Sequence, residues 1–382
     1  MATDNYSQFD EIRPFNPSEL PAVYDRLLAS EQFRKVLTYL YPGVDMQTIA
    51  DMMHRCRTNL EFQKALCYPF LEQLLAKASH GCDMDASAID SGKRYTFVSN
   101  HRDIVLDSAL LDKMLIDNGF TTTCEIAIGD NLLSLPWVRD LVRVNKSFIV
   151  ERSLQPRQML MASKRLSEYM HLVISDKNDN IWIAQREGRA KDSDDRTQPS
   201  VLKMMAMGGD RNPIESLKQM HIVPLAISYE YDPCDYLKAR EFQLKRDVEG
   251  WKKSPQDDVE SMRVGIMGFK GRIHYHCAPC VDDWLESIGS TLPKTELFNA
   301  LAEEIDKRIF SSYRLYANNY VAAHKLGDTD YSDKFTKEEE ETFMRYIDGQ
   351  LTKIDIPDKD EEYLRERLLV MYANPLFNSL KV

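Results

Sequence analysis

The chain predicts an α/β protein: a mixed, largely parallel central sheet flanked by helices, with an N-terminal helical subdomain and C-terminal helices. Three observations predict it. Apolar residues recur at three-to-four spacing through residues 1–85, short β-branched runs alternate with helical stretches from about residue 93, and helical spacing returns after Pro293. The expected units are therefore 1–85, helical; 86–290, α/β; and 291–382, helical.

In the first unit the helical stripes are Val23, Leu27 and Leu28; Phe33, Val36, Leu37 and Leu40; Ile49, Met52, Met53 and Cys56; and Phe62, Leu66, Phe70 and Leu74. The second unit offers strands at Tyr95–Val98, Thr122–Ile128, Phe148–Val150, Ile181–Ala184, Ile222–Ser228, Val264–Phe269 and Arg272–Cys277. Pro224 inside the fifth of these predicts an edge strand or a bulge, because proline has no N–H for the ladder. Lys270-Gly271 reads as a tight hairpin between the last two strands, and so as an antiparallel addition to the sheet. Beyond Pro293, Leu301, Ile305, Ile309, Tyr313, Tyr316 and Tyr320 fall on one helical stripe that packs against the body. Thr336-Lys-Glu-Glu339 has the spacing of a capping box.

With 382 residues and 43% hydrophobic composition the chain can bury a sizeable core. The net charge of −11 argues against broad nucleic-acid binding. Charge is unevenly spread, however: cations are dense between Arg139 and Arg196, and much of the acid lies in 328–366, which suggests a local site for an anionic ligand. Seven scattered cysteines without framework spacing, and no leader-like segment at the start, point to the reducing cytoplasm. No apolar run approaches the roughly 20 residues of a bilayer span, so the expected membrane contact is peripheral, on the inner membrane face.

The chemistry concentrates at Ser99-Asn-His101-Arg-Asp103-Ile-Val-Leu-Asp107, where a strand gives way to a helix. Asn100 is placed to cap that helix, and His101 to stand at the carboxyl end of the sheet as a general base oriented by a carboxylate. Three later segments set charge beside strands: Lys146-Ser-Phe-Ile-Val-Glu-Arg152, Ile181-Trp-Ile-Ala-Gln-Arg-Glu187-Gly188-Arg189-Ala-Lys191, and the proline-containing run from Ile222 to Tyr229. Gly188 among guanidinium and ammonium groups suits a phosphate monoester.

These four segments, in this order, resemble the four sequence blocks of the glycerolipid acyltransferase family, which includes glycerol-3-phosphate and lysophosphatidic acid acyltransferases. The resemblance covers about residues 93–230. It implies that His101 deprotonates an acceptor hydroxyl for attack on an acyl thioester, and that Arg152, Arg189 and Lys191 hold the acceptor phosphate. By the same likeness Glu187 and Gly188 shape the loop, and Arg102 joins the substrate-binding set. The implied donors are acyl-CoA or acyl carrier protein, the acceptor is of glycerol-phosphate type, and no cofactor or metal is required. An acceptor without phosphate, and a non-catalytic lipid- or acyl-thioester-binding protein on the same fold, are the competing readings.

The chain departs from the family pattern twice. Five residues rather than four separate His101 from Asp107, which puts Leu106 at the expected acid position. One residue turns a helical side chain by about 100°, so either Asp107 or Asp103 serves the imidazole; Asp107 is preferred, with Asp103 as a helix-start residue. In the third block the arginine follows the glycine directly, which allows Arg189 and Lys191 to exchange roles.

A rival set, His274, His276, Cys277 and Cys280, has zinc-ligand chemistry. Strand alternation, however, puts Cys277 on the face opposite the two histidines. His54, His80, His171, His221 and His324 are read as structural or exposed.

Overall fold

The computed structural model describes residues 6–152, 154–288, 291–293, 295–328 and 331–382. The expected domain boundary at residue 290 lies outside the described residues. Seven strands form one sheet: β1 (Cys82–Asp85), β2 (Thr96–Ser99), β3 (Cys124–Gly129), β4 (Ser147–Val150), β5 (Asn180–Ala184), β6 (Ile222–Tyr229) and β7 (Ile273–Cys277). Their order is β1-β7-β6-β2-β5-β3-β4. Every neighbouring pair is parallel except β6 and β7. The predicted mixed, largely parallel sheet is therefore present.

Both faces are covered, which is why the strands read as unbroken apolar runs. Alternation along β2 sends Val98 into one helical layer, with Met170, Leu202 and Ile305, and Phe97 into the other, with Leu110 and Leu111. The N-terminal helices keep a core of their own, built from Val23, Leu27, Phe33, Ile49, Met53 and Leu66, and close it against Val144 and Trp137. The C-terminal helices, Ala317–Lys325, Lys337–Thr352 and Glu361–Ser379, form another around Val321, Ile347 and Leu368. Among the described residues no helix is long and apolar enough to cross a membrane.

Several sequence expectations are corrected. Val264–Phe269 is no strand: its first four residues end the helix Pro255–Met267. That helix starts at a capping box in which Ser254 Oγ accepts from the Asp257 N–H and Asp257 accepts from the Ser254 N–H, with Pro255 in the first turn. A short apolar run cannot by itself be told from a strand, and this start signal decides it. Lys270-Gly271 consequently joins a helix to β7 and makes no hairpin. The antiparallel pairing is real but lies between β6 and β7. The segment Cys82–Asp85, assigned to the helical subdomain, is an edge strand of the sheet, held by its backbone ladder to β7.

β6 is interior rather than an edge, yet it tolerates Pro224. The Pro224 carbonyl accepts from Ala278 N, so the residue's missing N–H faces the same side, just past the last paired position, Leu225 with Cys277. The stripe from Leu301 to Tyr320 is interrupted as well. The helix Leu297–Ser311 ends before Tyr313, and Tyr320 belongs to the next helix. The capping box at Thr336 and Glu339 is formed.

Asp112 joins the N-terminal helices to the sheet, accepting from Cys124 N at 2.8 Å and from Gln63 Nε2 at 3.1 Å. Burial pushes its carboxyl up to about 7 from an ordinary 3.8. A carboxyl raised in the folded state contributes stability that is fully present below the unfolded pKa and lost as pH rises through the folded one. Asp112→Asn should therefore gain stability relative to the parent as pH rises from about 4 to about 7, as measured by urea unfolding across that window.

Candidate active site

β2 and β5 run side by side, and their carboxyl ends open into a cavity of about 630 Å³. Its walls are mostly apolar, with Ile104, Ile126, Ile128, Val142, Ile149 and Leu166 among them. Its polar lining includes His101, Arg152, Glu187, Arg189, Lys191 and Lys253. This is the size and make-up of a pocket for an amphiphile.

After Ser99 the chain leaves β2 and does not become helical until Leu106. Asp107, from the first turn of that helix, reaches back across the intervening loop. Its Oδ2 meets His101 Nδ1 at 2.8 Å and accepts from the backbone N–H groups of Arg102 at 2.6 Å and Asp103 at 3.0 Å. A carboxylate oxygen that already accepts two N–H groups requires Nδ1 to be the donor, which leaves Nε2 unprotonated as the proton acceptor. His101 itself lies outside the helix, and this is how a carboxylate six residues on comes to face the ring.

Asp103 does different work. Its Oδ1 accepts from Val105 N and Leu106 N, both at 2.8 Å, which satisfies exposed donors at the helix start. Burial and the neighbouring Asp107 push its carboxyl upward. Asn100 is not the cap. It is fully buried and exchanges hydrogen bonds with Ile227, donating to the carbonyl at 2.9 Å and accepting from the N–H at 2.8 Å. The side chain thus extends the β2–β6 ladder by one position.

Arg102 does not line the cavity, contrary to its placement among the substrate-binding residues. It is buried against Asp195, Nη1 to Oδ2 2.9 Å, and pairing satisfies both charges. Arg152 lines the cavity with Glu187 3.7 Å away. Gly188 turns the loop with φ +70°, a conformation that glycine adopts without strain.

Arg189 is 8% exposed, its Nη1 is buried without a hydrogen-bond partner, and among the described residues it makes no ion pair. Lys191 pairs with Glu241 at 3.1 Å. Burial, followed by repulsion from Arg189, nevertheless pushes its ammonium down to about 8, a trend that Glu241 only partly opposes.

Residues 83–228 match the family model described as acyltransferase. That segment is an acyltransferase domain. It spans most of β1 through most of β6, and hence contains His101, Asp107, Arg152, Arg189 and Lys191. No curated protein matches the chain in a sequence search. Among solved structures the chain is similar to the 1-acyl-sn-glycerophosphate (LPA) acyltransferase PlsC from Thermotoga maritima, at 12% identity over 76% of this chain and 92% of that one. The TM-score is 0.36, a likeness too loose to carry a structural argument.

Several groups around the candidate site escaped sequence reasoning. Trp182 stands edge-on to the His101 ring, with 5.4 Å between centroids, and donates to Ser99 Oγ at 3.0 Å. Asp195 accepts from Arg102 from a distant loop. Gly265, from the helix missed in sequence, packs so closely that a Cβ there would come within 1.9 Å of Asp103 Oδ2. Of these only Gly265 had a signal, the capping box that announces its helix.

The rival zinc set is split apart by the fold. His274 faces Asp83 at 2.6 Å, His276 faces Asp85 at 3.7 Å, and Cys277 enters the apolar core. Cys280 instead lies near His221 and Asp282, with ligand atoms within 4.8 Å of one another.

Two outcomes follow from this geometry. Arg102→Ala leaves Asp195 buried and unpaired, so it should cost about 3–5 kcal/mol of folding stability in denaturant titrations. Gly265→Ala forces Asp103 aside and should lower turnover in an acyl-transfer assay. Gly265→Ala with full turnover would show that the close packing does not position the loop.

Proposed function

We propose that the protein transfers a fatty acyl group from an acyl thioester, acyl-CoA or acyl carrier protein, to the hydroxyl of a glycerol-phosphate-type acceptor in phospholipid biosynthesis. Lysophosphatidic acid stands ahead of glycerol 3-phosphate as acceptor. The observation that carries this reading is the buried, unpaired Arg189 guanidinium lining the same cavity as the His101–Asp107 pair. A buried guanidinium with no hydrogen-bonded anion is costly, and a phosphate monoester would supply such a partner in bidentate geometry. The apolar walls suit the acyl chain.

His101 Nε2 takes the proton of the acceptor hydroxyl as its oxygen attacks the thioester carbonyl. Asp107 holds the ring in the required tautomer and stabilises the imidazolium that forms. The tetrahedral intermediate collapses with loss of the thiolate, which recovers the proton from His101, leaving an oxygen ester and a free thiol. The step balances with no redox partner. A thioester is already activated, so positioning and a base are the main demands on the protein.

His101→Ala should lower kcat by about 100-fold or more, while Asp107 keeps the backbone N–H groups of Arg102 and Asp103 and with them the loop. Asp107→Asn should lower kcat with little change in either KM, whereas Asp103→Asn should mainly cost stability, about 1 kcal/mol. Arg189→Ala should raise the acceptor KM well above any change in the donor KM; equal changes would shift the phosphate assignment to the donor. Lys191 is charged below about pH 8 and neutral above it, so acceptor KM should rise as pH passes through that value. Lys191→Arg, which stays charged, should flatten that rise.

A further inference from the structure

The two most exposed large apolar side chains among the described residues are neighbours, Leu160 at 63% and Met161 at 70%. They stand on the helix Pro156–Ser175, which also builds a wall of the active-site cavity through Met159, Ala162, Ser163 and Leu166. At about 100° per residue, Arg157, Leu160, Met161 and Lys164 share the outer side of that helix while the cavity residues share the inner side. A second exposed leucine, Leu135, sits at the start of the helix Pro136–Val144, whose Val138 and Val142 line the cavity from another direction.

Two cavity-forming helices thus present bare apolar side chains to solvent. Cations accompany them: Arg157 is exposed and makes no ion pair among the described residues, and exposed Lys164 has only Glu168, at 3.5 Å. The protein's net charge of −11 would hold it off an anionic surface, so any attraction must be local.

We infer that this outer helix face is a membrane-docking lip, in which Leu160 and Met161 insert among the acyl chains of an anionic bilayer while Arg157 and Lys164 meet its phosphates. The inference rests on the reading that the cavity takes a lipid chain, and it supplies the route by which such a chain passes from bilayer to cavity without crossing water. An acidic carrier protein would also be drawn to the cations. Large aliphatic side chains standing clear of the surface beside them fit the bilayer better.

The test uses the full chain with vesicles of mixed phosphatidylcholine and phosphatidylglycerol. The double variant Leu160→Ser, Met161→Ser should lose vesicle cosedimentation by about tenfold or more, since the two side chains that would enter the bilayer are made polar. Its thermal unfolding should match the parent, because both residues are exposed. With a short-chain, fully soluble acyl thioester and acceptor its turnover should equal the parent's, while the apparent KM for a vesicle-borne acceptor should rise about tenfold.

Unchanged cosedimentation of the variant overturns the lip, as does loss of soluble-substrate turnover, or loss of carrier-protein binding with vesicle binding retained. Loss of cosedimentation in a protein that shows no acyl transfer at all would keep the lip and overturn the proposed reaction.

Discussion

One carboxylate oxygen organises the carboxyl end of β2. Asp107 Oδ2 collects the imidazole Nδ1 of His101 and the backbone N–H groups of Arg102 and Asp103, three donors on a single atom. Because two of them are backbone groups, the same contact that orients the ring also folds the loop that carries it. The loop residues are not helical, and their donors would otherwise be buried without partners. Ring orientation and loop conformation are therefore one interaction.

Around that point the fold treats positive charges in two ways. Arg102 is buried with Asp195, and Lys238 is buried with Asp232 while also donating to the Arg102 carbonyl at 3.1 Å. These paired cations lock the loop to the chain beyond it, including the helix Asp235–Asp247, on which the C-terminal helices pack through Asp235, Tyr346 and Tyr372. Among the described residues Arg189 makes no such ion pair, and it lines the cavity. Similar residue types are thus locked into the scaffold where an acid is built in and left open to the cavity where none is in contact.

Most strands of the sheet were legible because interior parallel strands are apolar on both faces and stand out as short runs between helical stretches. β1 was not, since Cys-Asp-Met-Asp carries little apolar signal and is held by its backbone ladder. Pro224 misled for the opposite reason: which side of a strand a missing N–H faces depends on where the neighbouring strand ends. The His101–Asp107 pairing was reachable from sequence, because a histidine outside the helix is the one arrangement that lets an acid six residues on come back to it. The placement of Arg102 was not, because its partner Asp195 is ninety-three residues away.

By itself the sequence determined the class of fold, the alternation of strands and helices, and the short-range chemistry in which a base, its carboxylate and a cationic glycine loop stand at strand ends. These depend on periodicity and on contacts within a few residues, which the order of the chain carries directly. The tertiary structure alone decided which cations are neutralised and which stay open, which helix covers the loop through Gly265, and which apolar side chains remain bare beside the cavity. Each of those is settled by a partner far away in the chain, and burial, ion pairing and close approach exist only once distant segments have met.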